Sequence, residues 1–175
     1  NLFETTASQE GDVVTGYGIF DQVNNDMNNV TEFCPGCELT FTFSMELTKF
    51  DNVINNVSYF EFSNLTIDIF VDHTPDYNAT SASSADGALW LSLEANGVLS
   101  GLGTDLLTGS DTGTGSALLN VVDGLAASNI DTDGEANGTD MVLSSSFQPS
   151  GTTGLLKGGF ELTGNSIPEP ASIAL

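Results

Sequence analysis

The sequence predicts an all-β domain: an antiparallel β-sandwich or jelly-roll-like fold of about seven or eight strands with little helix. Three observations carry this expectation. Leu39, Phe41, Phe43, Met45 and Leu47 alternate strictly with polar neighbours, the period of a strand with one wet face. Further short apolar runs recur, each bounded by Gly, Asn, Asp or Ser clusters. The 19 glycines spread through the chain argue against long helices, and no βαβ rhythm is present.

Taken in order, residues 1–10 alternate weakly and fit either a free arm or an added edge strand. Strands are expected over 13–20 and from 38 to about 48. In the next stretch Leu65, Ile67, Ile69 and Val71 lie in one phase and Phe60 and Phe62 in the other. Such a phase change marks a bulge or a strand that switches sheets. Residues 74–87 read as a long polar loop, either functional or mobile. Strands follow over 89–93, 116–122, 141–147 and 156–162, with one helical turn near 125–128. The organisation is therefore an arm or edge strand at 1–10, a β-sandwich domain over 11–165 and a tail at 166–175. A chain of 175 residues with a hydrophobic fraction of 39% is long and apolar enough for one packed core.

Charge narrows the partners. Twenty-four acidic side chains face only Lys49 and Lys157, no arginine occurs, and the formal net charge is -22. Nucleic acid is excluded as a partner, because its binding relies on basic side chains that displace counterions. Anionic membrane surfaces are disfavoured for the same reason. The surface attracts cations, which fits either adaptation to a salty medium or specific ion binding.

The sequence opens at Asn1 with neither Met nor an apolar leader, as expected of a chain from which a signal peptide has been removed. Cys34-Pro35-Gly36-Cys37 places two thiols across a turn, where an oxidising compartment would close them into a small disulfide staple. A redox dithiol of thioredoxin type would open a helix, whereas a strand follows here. A zinc site would need two ligands besides the cysteines, and the lone His73 is not enough.

The tail contains Pro168-Glu169-Pro170 followed by Ala-Ser-Ile-Ala-Leu. It resembles the PEP-CTERM sorting segment, and residues 113–120, 126–132, 137–140 and 144–149 resemble a recurring domain of surface proteins that carry it. The resemblance implies recognition by a membrane exosortase, an extracellular or cell-surface location in a Gram-negative bacterium, and association with exopolysaccharide, biofilm or floc. It departs from the family pattern because only five residues follow Pro170, whereas a membrane span needs about 20.

Among candidate sites, Asp131, Asp133, Glu135, Asn137 and Asp140 offer oxygen ligands in a turn-prone stretch suited to Ca2+, although the bland reading is a solvated acidic turn. It is no EF-hand, since Ala136 replaces the required Gly and Val142 the bidentate Glu. Asp105 and Asp111 flank a similar Gly/Thr-rich loop. Trp90 and Tyr77, together with Tyr59 and Phe62, fit either a carbohydrate stacking platform or core packing. Asn29, Asn56, Asn64, Asn78 and Asn137 head Asn-x-Ser/Thr sequons. His73 is the only imidazole and no Gly-x-Ser-x-Gly elbow accompanies it, so catalysis is not expected. The expected function is a non-catalytic structural protein of an extracellular matrix or filament, which self-associates by strand addition from residues 1–10 or 167–175 with cation help. The alternative is a Ca-dependent carbohydrate-binding module.

Overall fold

The computed structural model describes residues 1–24, 36–107 and 111–167. Nine strands occur among them: β1 (Leu2–Thr5), β2 (Val13–Ile19), β3 (Glu38–Ile54), β4 (Val57–Asp72), β5 (Ala88–Ala95), β6 (Leu99–Thr104), β7 (Thr112–Asp123), β8 (Met141–Pro149) and β9 (Leu155–Gly164). The expected helical turn is α1 (Ala127–Ile130), close to its predicted place, and two 3-10 turns lie at Ala82–Ser84 and Ala136–Gly138. The antiparallel all-β class with little helix is as the sequence predicted.

The strands form one sheet rather than two. Apart from β5 and β6, consecutive strands pair antiparallel, and β1 pairs with both β2 and β9, so the sheet closes on itself into a barrel. β5 and β6 share one place in the wall. β5 runs against the second half of β4 and β6 against its first half, and both pair with β7. Residues 1–10 are therefore neither a free arm nor an exposed edge, because Leu2–Thr5 is bonded on both sides.

Alternation decides which side chains enter the barrel. Leu39, Phe41, Phe43, Met45 and Leu47 of β3, Leu65, Ile67 and Ile69 of β4, and Leu91 and Leu93 of β5 are all buried in one core. Full burial of a side chain such as Phe41, 2% exposed, stabilises the fold by roughly 2–3 kcal/mol. With eight places in the wall, the interior is only wide enough for side chains to fill. Here large and small residues are matched across strands. A Cβ on Gly16 would lie 2.2 Å from the Phe43 ring, and one on Gly101 would lie 2.6 Å from Phe60 and 2.0 Å from the Thr114 carbonyl oxygen. These glycines make room for phenyl rings.

The phase change in β4 is a bulge. Ser44 pairs with Thr66 and Glu46 with Ser63, so Met45 faces two residues, Asn64 and Leu65, and Asn64 takes a φ of 53°. The extra residue restores the inward phase, and Phe60 and Leu65 are both buried. The β3–β4 hairpin turns through Asn55 and Asn56, whose φ values of 53° and 64° suit a two-residue turn of the kind asparagine tolerates.

Residues 73–87 are not a loose loop. Ser83 Oγ donates to the Asn78 carboxamide, Ser84 Oγ donates to the Thr80 carbonyl, and Thr40 Oγ1 donates to the Ser84 carbonyl. The segment thus folds back onto the outer side of β3 and leaves Thr40 fully buried.

Candidate functional site

Antiparallel connectivity gives the barrel two ends of different chemistry. One end gathers the start of β3, the end of β4, the start of β5 and the β7–β8 connection over residues 124–140. The other gathers the β3–β4 turn, the connection after β6 and the open end of β1.

At the first end Asp140 organises the acidic stretch singled out in the sequence. It is buried, and its carboxylate accepts from Thr132 N at 2.7 Å, Asp133 N at 2.8 Å and Val121 N at 2.8 Å. Burial pushes its pKa up, but the donors on Val121, Asp133 and Thr132 together outweigh burial and hold it below the ordinary aspartate value. The loop is wrapped around this anion. Consequently Asp131, Asp133 and Asp140 each bring a carboxylate oxygen within 4.8 Å of the others, a spacing that can hold a metal ion. Asp131 and Asp133 are exposed, so they supply the free lone pairs. Glu135 stands outside this group; its N–H donates to the Thr139 carbonyl at 2.8 Å. Asn137 occupies a left-handed position, φ 61°, within the 3-10 turn Ala136–Gly138.

A second acidic group at this end was not anticipated. Glu38, Asp72 and Asp76 approach with the same spacing. Glu38 pairs with Asp72 across β3 and β4, and its carboxylate accepts from Asp76 N at 3.2 Å and Tyr77 N at 3.0 Å. Burial raises its pKa, the two backbone donors oppose that, and the charges of Asp72 and Asp76 add to the rise. Only the register could have revealed this group.

The proposed aromatic pair does not come together. Trp90 is half-buried and packs against the core, Tyr77 is half-buried with its hydroxyl unpartnered, and no ring contact joins the two. Tyr59 lies instead under the Lys49 ammonium at 5.2 Å and donates to Glu61 at 2.6 Å. His73 is exposed. Asn56, Asn64, Asn78 and Asn137 are exposed too, while Asn29, Cys34 and Pro168, Glu169 and Pro170 lie outside the described residues. Cys37 is buried and no described cysteine is free.

The opposite end holds a cavity of about 60 Å³. Its walls are carbon apart from a few hydroxyls and two carboxyls, Glu4 and Asp111. Glu4 alternates inward with Leu2 on β1, between Gly16 of β2 and Leu156 of β9. Burial first, and then the Asp111 charge, raise its pKa to about 8. The sequence leaves residues 1–10 open between an arm and an edge strand, and Asp111 open between a cation ligand and a solvated turn. Glu4 and Asp111 are both buried.

No known family, curated protein or solved structure matches the chain. What it can do must therefore be argued from these two ends.

Proposed function

We propose that the protein is a non-catalytic component of a bacterial extracellular matrix, and that divalent cations at its acidic end let copies carrying -22 each approach one another. The observation that carries this is the convergence of Asp131, Asp133 and Asp140 on a loop held in shape by backbone donors. Such hard, partly solvated oxygens suit calcium. The resemblance of the tail to a PEP-CTERM segment supports the extracellular surface location, export past an exosortase, and exopolysaccharide as neighbouring material. β1 is already bonded on both sides, so strand donation by residues 1–10 would have to open the barrel. We therefore favour association at the acidic end, with strand addition left to residues 167–175. Light scattering of the purified chain should show growth in millimolar calcium that chelator reverses and that Asp131→Asn with Asp133→Asn abolishes. A monomer under every condition would sink this reading.

A calcium-dependent carbohydrate-binding module is the second reading, favoured by Trp90 lying on β5 toward the same end as the acidic loop. Polysaccharide pull-down that needs both calcium and Trp90 would select it over a purely structural role. In either case Cys34 and Cys37 are proposed to form one disulfide, and free thiols in non-reducing mass spectrometry of fresh protein would contradict that.

A further inference from the structure

The cavity at the end opposite the acidic loop has features that a simple core does not need. Glu4 is more than nine-tenths buried, lines the cavity, and receives no hydrogen bond or ion pair from the described residues. The surrounding side chains, among them Val14, Leu47, Phe60, Leu99 and Leu156, are apolar, and no Lys, Arg or His lines the space. Lys49 is held by Asp51 at 3.2 Å, and Lys157 is exposed. The chain itself thus offers no cation to this carboxyl, although a buried carboxylate without a partner is costly.

We propose that this cavity binds a small organic ammonium ion, with the charge against the Glu4 carboxylate and the alkyl group against the aliphatic and phenyl walls. A bare metal ion fits poorly, since calcium takes six to eight oxygens and the lining here is mostly carbon. Size sets the class further. A space of about 60 Å³ is several times the roughly 10–15 Å³ needed for one water, and smaller than the roughly 150 Å³ cavity that takes benzene. It suits a cation of two or three heavy atoms, such as methylammonium or ethylammonium. Among the described residues, Glu4 and Asp111 are the only titratable groups lining the cavity. Because Glu4 holds its proton up to about pH 8, binding at neutral pH replaces that proton: the carboxyl releases H+ to solvent as the ammonium pairs with the carboxylate.

The test is a titration of the full chain with ethylammonium chloride at pH 7, followed through the NMR methyl signal of Met45, which lines the cavity. Potassium chloride and ethanol serve as controls for charge alone and for the alkyl group alone. A ligand of so few atoms should saturate with a Kd on the order of millimolar. Glu4→Gln should weaken it by roughly tenfold or more, while Glu161→Gln on the outer surface should not. Calorimetry of the unmodified chain in buffers of different ionisation enthalpy should independently report proton release on binding. Absence of a saturable shift, equal shifts with potassium or ethanol, or unchanged affinity in Glu4→Gln would each overturn the proposal.

Discussion

The two ends of the barrel use the same functional group in opposite ways. Asp140 is buried, but three backbone N–H groups surround it and keep it ionised. Glu4 is buried among carbon with no donor among the described residues and holds its proton to about pH 8. Donor number, rather than burial or residue type, separates them, and only the donated carboxylate shapes the chain around itself.

Substitutions can break this contrast, and the largest effect should come from the wall between the ends. Phe60 is 2% exposed and fills the space above Gly101. Phe60→Ala should cost roughly 3–5 kcal/mol in denaturant unfolding and enlarge the Glu4 cavity.

The next effect should have the opposite sign. An unfolded Glu loses its proton near 4.5, whereas folded Glu4 keeps it to about 8, so the native state binds more protons between these values and stability falls as pH rises through that window. Glu4→Gln should accordingly stabilise the protein by about 3 kcal/mol at pH 7 and change little at pH 4, read from unfolding midpoints at the two pH values.

Asp140→Ala should cost about 2 kcal/mol by leaving three part-buried donors without an acceptor. Its pH dependence runs the other way. The folded pKa lies below the ordinary 3.8, so the stability it contributes is present above that value and is lost as acid takes pH down through the folded one. Urea unfolding of this variant should therefore converge on the unmodified protein in strong acid. The smallest effect belongs to Asp131→Asn with Asp133→Asn, whose carboxylates are exposed: without calcium, unfolding should move by less than about 0.5 kcal/mol. A larger loss would mean that these two groups also hold the loop together.

Legibility in the sequence followed the range of the interactions. β3 declares itself because its wet and dry faces alternate over ten residues. β6 does not, since Leu99-Ser-Gly-Leu-Gly-Thr104 reads as a glycine loop; Gly101 lies against Phe60 and Gly103 against Leu106, a role visible only once β4 and β7 flank the strand. The acidic loop was readable because its members fall within ten residues. Glu38, Asp72 and Asp76 were not, because a strand register brings them together. Burial of Glu4 is further still from local pattern, as it depends on β1 being closed in by β9. Closure likewise turned an expected sandwich into a single curled sheet.

That closure sets an order of events in folding. Leu2 pairs with Gly158, a contact spanning nearly the whole described chain, while the other wall pairings join strands that are consecutive or one apart. Hairpins can therefore form quickly and locally, but the ring is complete only when its first and last strands meet, which makes this the step with the highest loop-closure cost. Until then β1 and β9 each present a raw edge to other chains at high local concentration. A four-residue strand thus acts as the latch that ends the period of greatest risk of misassembly.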